Sequence, residues 1–530
     1  MNYTDSTMLI VGDVPQYFFD NVVIAQTQDI TKTIHRPTKQ DGPIIRKDRP
    51  WERVLYFTVS AWSVLQDVST GEYRCWYEDF HVDPKGIEQT GSFSPYFSAT
   101  SYARSKDGLS WEKPQLDYFR FEGEKTNIVI GDPDRFTKCE GIGVFEDPLD
   151  PDPKRRYKAV LDHVVGSAQK IEKGIRMTRD ARDGLTGSVT VEIHHSADGF
   201  SWTPMEQGPR FGRHGPGLGD CFAVFPDVDC GVYRLLTRAA GMESVHYDLR
   251  RPRTDSFFPP NFPHDPARMN RRRVYLSESA DLIHWSRPQC ILAPDEQEDN
   301  LDDSYYGMTQ FKMGEVYVGF LNVLHQVTNT MDVRLVYSRD GWRWYQLNKR
   351  QPWLSPSERE GAWDRYMVNI SSAPVAAGDE MLVYHGGAAN RHDWWIVGRK
   401  EGIQLPEAQD IDQVAYGLGV AKLRQEGFVS VDAGAVREGI LVTHGLRTGN
   451  HGLSLNAACG KDGYLKVEIT DQDETVLEGF SHSDCDTFTG DATCHRVTWK
   501  GRSHIPHRGT LRLRFTMRNA SLYSFTFVEA

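Results

Sequence analysis

The stretch GLGDCFAVFPDVDCGVYRLLTR, Gly217–Arg238, decides the fold. It places an acid, Asp220, before a short apolar run, then a polar turn, then a second apolar run that ends at Arg238. Two apolar runs around a polar turn indicate two β-strands joined by a hairpin. The same pattern occurs five times, and the other copies begin near Arg53, Glu140, Asp303 and Asp364. A pattern repeated along a chain predicts repeated structural units.

A second marker accompanies these copies. Four of them are followed by a Ser-x-Asp-Gly-x-x-Trp stretch or a close variant, at Ser105–Trp111, Ser196–Trp202, Ser279–Trp285 and Ser338–Trp344. A degenerate fifth lies at Arg424–Gly427. Asp-Gly between strands favours a tight turn, because glycine accepts positive φ without steric cost. We expect the tryptophan to pack structurally against its own hairpin.

Two strands from each marker give four strands per unit, which is typical of propeller blades. The fold class predicted is therefore all-β, a five-bladed β-propeller over residues 1–432 that includes an N-terminal strand segment. After Asp432 the markers cease, and strands such as Tyr464–Thr470 and Thr510–Met517 follow instead. We predict a separate accessory β-sandwich over residues 433–530.

Composition excludes some functions. The 530 residues carry a net charge of −12, which argues against a nucleic-acid or anionic-membrane binder. No apolar run approaches the ~20 residues of a membrane helix, and the N-terminus lacks the features of a signal peptide. The eight cysteines form no C-x-x-C pair, which fits a reducing cytoplasm. We predict a cytoplasmic protein without a cofactor or metal, and interpret the acidic run 295–303 as a solvated loop rather than a Ca²⁺ site.

The propeller hypothesis places polar residues at one end of the ring. In a blade, the inner strand starts at the face where the second strand ends, whereas the Asp-Gly turns lie at the opposite face. Residues predicted at this mouth are Glu78, Glu140, Asp220, Arg238, Asp303, His325, Asp364 and His385. Trp394 and Trp395 fall in an insertion at the same end and offer flat surfaces for sugar rings. Carboxylates crowded in a concave mouth raise one another's pKa, which separates an acid from a base as glycosidic cleavage requires.

These features resemble the five-bladed propeller glycoside hydrolases. The resemblance rests on acids at inner-strand starts, on the Ser-x-Asp-Gly-x-x-Trp hairpins and on the C-terminal strands, and it covers most of the chain. The group includes the invertase-like family 32, the arabinanase-like family 43 and the mannoside phosphorylases. It implies a carbohydrate substrate and catalytic carboxylates on the first three blades. This chain lacks the invertase sequence W-M-N-D-P-N-G, and Glu52 is the only acid near its first inner strand.

The catalytic carboxylates are therefore predicted from the repeat itself, in the order Asp220, Asp303 and Glu140. One would act as general acid and another as base or nucleophile. Predicted substrate contacts are Glu78, Arg238, His325, Asp364, His385, Trp394 and Trp395. The leading hypothesis is a glycoside hydrolase that removes a terminal sugar. Two alternatives are a glycoside phosphorylase, with Arg238, His325 and His385 around phosphate, and a non-catalytic sugar-binding propeller.

Overall fold

The fold is known from a computed structural model. It describes residues 8–82, 95–131, 139–164, 189–207, 209–211, 221–238, 272–295, 297–300, 302–392, 394, 407, 410, 413–506 and 509–529. The regular elements with defined bounds in these ranges are β-strands, apart from two three-residue 3-10 helices, Pro153–Arg155 and Asn348–Arg350. The predicted all-β class is therefore confirmed. No helix within these ranges is long and apolar enough to cross a membrane.

Five successive stretches of chain form sheets in which nearly all strand pairs are antiparallel, and we call them units 1 to 5. Unit 1 contains Val54–Leu55, Trp62–Gln66, Tyr73–Val82, Pro95–Ser105, Trp111–Glu112 and Ile128–Ile130. Unit 2 contains Cys139–Glu146, Tyr157–Val164, Val189–Ser196 and Thr203–Pro204. Unit 3 contains Arg210–Phe211, Phe222–Asp227, Val232–Thr237, Val274–Ser279, His284–Trp285 and Gln289–Leu292. Strands Leu116–Phe121 and Glu124–Thr126 form a separate hairpin.

Units 4 and 5 belong to one ten-stranded sheet. Unit 4 contains Asp303–Met313, Val316–His325, Thr330–Ser338 and Tyr345–Gln346. Unit 5 contains Met367–Asn369, Val375–Ala377, Glu380–Ala388 and Tyr416–Arg424, together with Thr38–Lys39 and Ile45–Arg46 from the N-terminal part of the chain. Lys39 pairs with Ala421, and Ile45 pairs with Leu418. The outer edge of unit 5 is thus supplied by residues that precede unit 1 in the sequence.

The Asp-Gly markers form the same turn in four units. In unit 1, Asp107 accepts backbone hydrogen bonds from Leu109 (2.8 Å) and Ser110 (2.7 Å), and Trp111 Nε1 donates to the carbonyl of Gly108 (3.1 Å). The corresponding Trp202, Trp285 and Trp344 make the same indole bond in units 2 to 4. The predicted structural role of these tryptophans is confirmed. In unit 3, Leu282 takes the glycine position with φ +64°, a conformation that costs free energy for a residue with a side chain.

Three of the four turns, those of units 1, 2 and 4, also receive a hydrogen bond from a neighbouring unit. Trp76 Nε1 of unit 1 donates to Gly199 O of unit 2 (2.8 Å), and Arg234 of unit 3 donates to Asp340 O of unit 4 (3.1 Å). The hydroxyl of Tyr384, in unit 5, donates to Gly108 O of unit 1 (2.9 Å). This last contact joins the final unit to the first. The units therefore close into a ring rather than a linear stack.

The first strands of the units, which we call inner strands, also contact one another. Val144 N of unit 2 donates to Ser63 Oγ of unit 1 (2.9 Å), and Asn369 Nδ2 of unit 5 donates to Phe57 O of unit 1 (2.8 Å). Ile370 N, which directly follows the inner strand of unit 5, donates to Asn322 Oδ1 in the second strand of unit 4 (2.9 Å). The inner strand of unit 3 lies against those of units 2 and 4. Buried polar side chains satisfy these backbone groups, which would otherwise be costly to remove from water.

A further ten-stranded sheet combines both ends of the chain. Its strands are Met8–Ile10, Gln16–Tyr17, Ile24–Gln28, Ile30–Ile34, Val429–Ala433, Gly439–Thr443, Gly445–Arg447, Gly452–Asp471, Asp491–Arg496 and Leu511–Val528. The division of the chain into domains at 432/433 stays a prediction. Strand pairing places residues on both sides of that position in this sheet. Phe428 packs on the rings of Phe320 and Trp353, so the hydrophobic core of this ten-stranded sheet continues into unit 4.

Candidate active site

Strand register defines one end of the ring, which we call the mouth. Asp303, at the start of an inner strand, pairs with His325 at the end of the second strand, and Met367 pairs with Ala388 in the same way. Leu55 pairs with Asp79 in unit 1. Inner-strand starts and second-strand ends therefore lie at one end in these units. The Asp-Gly turns follow the third strands at the other end, as the sequence predicts.

Asp303 lies at the mouth end of unit 4 with no exposed surface. Its carboxylate accepts hydrogen bonds from His325 Nδ1 (2.8 Å) and Arg334 Nη2 (2.5 Å), and Asn300 contributes weaker contacts. Burial alone would raise the pKa of Asp303, but the hydrogen bond and charge of His325, with Arg334, lower it to about 2. Asp303 therefore stays ionised at neutral pH and cannot donate a proton there. This geometry favours a role through His325 and Arg334 over direct attack on a substrate.

His325 connects two carboxylates. Its Nδ1 donates to Asp303 and its Nε2 donates to Asp332, each at 2.8 Å. Burial acts to lower the pKa of His325, but the hydrogen bonds and charges of Asp303 and Asp332 outweigh it and raise the pKa to about 10. The imidazole is therefore charged at neutral pH with both nitrogens engaged. In this state it holds two strands together and has no nitrogen left for a substrate.

The ionic network extends away from the mouth through Arg334. This guanidinium also pairs with Asp299, which in turn pairs with Arg350 and accepts from the Tyr305 hydroxyl (2.8 Å). The sequence does not predict Arg334 as the partner of Asp303, nor Asp299 and Arg350 as the next members of the network. A signal was available, since Asp332 and Arg334 alternate with apolar residues in the buried strand Thr330–Ser338. Charges two residues apart on one face of such a strand indicate a buried ion pair.

Cationic and aromatic groups gather around Tyr306. Arg238 Cζ lies 4.3 Å from the centre of the Tyr306 ring and Arg272 Cζ lies 4.4 Å from it, while the ring of His392 meets it edge-on at 4.8 Å. Arg238 is 4% exposed. Cation–π attraction orients both guanidiniums. Trp394 is buried in the same apolar cluster as Tyr306. Arg238 thus lies beside Tyr306 as part of the mouth, and the sequence indicates neither Arg272 nor His392 as its neighbours there.

Two further candidates form a separate cluster in unit 5. Asp364 accepts a hydrogen bond from Lys39 Nζ (2.6 Å). The charges of both residues act on the buried His385, whose ring centre lies 5.6 Å from that of Trp363. Neither nitrogen of His385 hydrogen-bonds to a described residue. Burial, with the charge of Lys39, lowers the pKa of His385 to about 4, so this imidazole is neutral at pH 7. It offers no charge to phosphate.

The other predicted site residues differ in how much the structure describes. Glu78 is buried at the mouth end of unit 1, where its carbonyl accepts from Tyr56 N (2.8 Å). Glu140 lies in the strand Cys139–Glu146 and pairs with Asp162, while its side chain is outside the described part. Asp220 and Trp395 lie outside the described residues. Within the described part, no group of three or more His, Cys, Asp or Glu residues could hold a metal ion.

Comparison with known proteins finds distant likenesses. No family model matches the chain, and no curated protein matches it. Among solved structures, an N-acetylgalactosamine deacetylase from F. plautii in complex with blood group B trisaccharide is 16% identical, with 75% of this chain and 96% of that chain covered and a TM-score of 0.43. A β-1,2-mannobiose phosphorylase from Listeria innocua is 13% identical, with coverage of 75% and 97% and a TM-score of 0.41. A family 32 β-fructofuranosidase from Bombyx mori is 10% identical, with coverage of 91% and 94% and a TM-score of 0.38. Members of the group that the sequence resembles are thus among its structural neighbours.

Proposed function

We propose that the ring of units is a five-bladed β-propeller, that the C-terminal strands form a β-sandwich, and that the chain is a glycoside hydrolase acting on a terminal sugar at the mouth. One observation carries the proposal. The register places Glu78 and Asp303 at the mouth ends of units 1 and 4. There Arg238 of unit 3 lies over the Tyr306 ring of unit 4, whose apolar cluster also contains Trp394. Polar groups that converge with aromatic surfaces at one end of a ring suit the binding of a sugar.

The chemistry needs one carboxyl group that is protonated and one that is ionised. Asp303 is held ionised by His325 and Arg334, so it does not supply the acid. We assign the acid and the base or nucleophile to Asp220 and Glu140, with Asp303 as the residue that positions its neighbours. Cys221, next to Asp220 in the chain, is buried in the same cluster as Tyr306. The substrate is a carbohydrate, and neither a metal nor a cofactor takes part in the proposed reaction.

One observation favours a phosphorylase as the second candidate. The guanidiniums of Arg238 and Arg272, both within 4.4 Å of the Tyr306 ring centre, concentrate positive charge at the mouth. Guanidinium groups are common phosphate ligands, because they pair with phosphate oxygens through two parallel hydrogen bonds. In this phosphorylase hypothesis His325 and His385 do not contact phosphate. Both ring nitrogens of His325 already hydrogen-bond to aspartates, and the His385 imidazole is neutral. Arg272 and His392 take their place.

The test is the release of reducing sugar from a panel of aryl glycosides and oligosaccharides, with and without inorganic phosphate. We expect turnover without phosphate, lowered by at least about 10³-fold in Asp220→Asn and in Glu140→Gln. Asp117→Asn is the matched control, because this carboxylate is exposed on the separate hairpin. Turnover that requires phosphate and is lost in Arg238→Met would establish the phosphorylase. Full activity in Asp220→Asn would refute its catalytic role, and sugar binding without any turnover would indicate a non-catalytic propeller.

A further inference from the structure

A cavity of about 600 Å³ opens on the C-terminal sheet, away from the mouth. The cavity is a shallow depression that is largely open to solvent. Its lining combines hydroxyl, imidazole, ammonium and carboxylate groups with one aromatic ring. The lining residues are Gly460, Asp462, Gly463, Tyr464, Lys466, His482, Thr487 and Thr489.

One wall is built by an irregularity in the strand Gly452–Asp471. Its register with Leu511–Val528 shifts between Cys459 and Tyr464, so residues 460–463 leave the ladder as a bulge. A Cβ on Gly463 would lie 2.2 Å from the carbonyl oxygen of Asn519, so only glycine fits this close approach. Asp462 has φ +59°, which turns the chain back into the strand. The bulge therefore stands as a fixed wall beside Tyr464.

Alternation in the strand sets which groups face the cavity. Leu465 and Val467 are buried in the core, which directs Tyr464 and Lys466 to the opposite, outer face. The second wall repeats this arrangement, because Phe488 is buried and bridges to Leu465 while Thr487 and Thr489 on either side are exposed. The two walls are therefore held side by side with their polar groups on one surface.

The contacts among these groups fix their positions. Arg518 Cζ lies 5.2 Å from the centre of the Tyr464 ring, and Lys466 Nζ donates to the carbonyl of His482 (3.3 Å). The Nε2 atom of His482 is buried and hydrogen-bonds to no described residue.

We propose that this cavity binds a neutral sugar unit of an oligosaccharide, at a site distinct from the mouth. The Tyr464 ring provides an apolar surface, and the threonine hydroxyls and Lys466 provide donors and acceptors for sugar hydroxyls. A positive Lys466 and a negative Asp462 line the same cavity, which suits a polyol better than a charged group. The inference does not depend on the reaction at the mouth, because the site belongs to the C-terminal sheet alone.

Hydrogen–deuterium exchange on the full chain tests the proposal directly. The probes are malto-, xylo-, manno- and fructo-oligosaccharides and, as an acidic comparison, an oligogalacturonide. We expect at least one neutral oligosaccharide to slow exchange at least about twofold in residues 460–466 and 481–489. Tyr464→Ala is expected to raise the dissociation constant about tenfold, and Thr487→Val with Thr489→Val is a second variant at exposed positions. Tyr118→Ala is the control, because Tyr118 is an exposed tyrosine on the separate hairpin.

The outcomes separate cleanly. Protection of both segments, lost in Tyr464→Ala and retained in Tyr118→Ala, supports the site whether or not the chain hydrolyses the probe. Protection confined to residues at the mouth overturns the proposal, and so does equal affinity in Tyr464→Ala. Absence of protection by every neutral probe, or protection by the oligogalacturonide alone, overturns it as well. Thermal unfolding of each variant shows whether it has folded.

Discussion

His325 makes the stability of the fold depend on pH above neutrality. In the folded protein its pKa is raised to about 10 by Asp303 and Asp332, against 6.5 for a free imidazole. A raised pKa in the folded state adds stability that is fully present below pH 6.5 and is lost as the pH rises through 10. The perturbation is His325→Gln, which removes the charge and with it this dependence.

The magnitude follows from the difference between the two pKa values. Each unit corresponds to about 1.4 kcal/mol, so the contribution of His325 declines by about 4 kcal/mol between pH 6 and pH 10. We expect the wild-type protein to exceed His325→Gln in free energy of unfolding most strongly near pH 6. The two should approach one another towards pH 10, because the wild-type imidazole then loses its proton and the ion pairs with it.

The assay is urea unfolding followed by tryptophan fluorescence, at one-unit intervals from pH 6 to pH 10. The matched control is His284→Gln, because His284 contacts Asp281 at 2.7 Å but both side chains are largely exposed. An exposed pair contributes about 0–1 kcal/mol, so this variant should show a flat difference. A difference between wild type and His325→Gln that stays constant over the whole range would refute the charged imidazole and the ionic network built on it.

Three further outcomes are expected. Gly199→Ala should lower the free energy of unfolding by about 1–3 kcal/mol, because Gly199 has φ +81° and its new methyl group would meet the buried Trp76 ring at 2.7 Å. The control is Gly71→Ala, which is also at positive φ but in open space and so isolates the backbone contribution. Equal losses of stability for the two variants in urea unfolding would contradict the packing argument. His385→Gln should reduce the loss of stability as the pH falls from 6.5 to 4. The reason is that the pKa of His385 is lowered in the folded protein, so only the unfolded chain binds a proton at this residue in that interval. If the free energy of unfolding depends on pH in the same way in the variant and the wild type, the imidazole is accessible to solvent. If the chain hydrolyses glycosides, Asp303→Asn should lower kcat by less than Asp220→Asn does, since Asp303 acts through His325 and Arg334. A larger loss of kcat for Asp303→Asn in steady-state kinetics would show that Asp303 takes part directly in the reaction.

The repeat could be predicted from sequence because its signals are local. The Ser-x-Asp-Gly-x-x-Trp turn uses donors and acceptors within seven residues, so Ser105 to Trp111 already specify the hydrogen bonds that the structure contains. The positions of the mouth residues followed from strand alternation and register. Asp303 and His325 were placed together for that reason, as their pairing shows.

What could not be predicted depends on contacts distant in the chain. The partners that hold Asp303 and Asp364 include Arg334 and Lys39, and Lys39 belongs to an N-terminal strand whose place in unit 5 no local pattern indicates. The sequence predicts His385 as a substrate contact at a strand end, whereas burial lowers the pKa of its imidazole and makes it neutral. Burial and pairing decide the charge of a side chain, and they are properties of the packed fold.

The borrowed outer edge of unit 5 has a consequence for the order of events during synthesis. Residues 38–46 leave the ribosome first, yet their partners Gly417–Lys422 arrive only after all other units have been made. Until then the strand Tyr416–Arg424 does not exist, and the segment that will cover it remains an unpaired edge able to associate with other chains. Pairing of residues 38–46 with Tyr416–Arg424 is therefore a late step of folding and a slow one, because contacts between distant parts of a long chain are costly to form. A protein shortened just before Tyr416 would keep the strands of unit 5 up to Ala388, but residues 38–46 would have no strand to pair with.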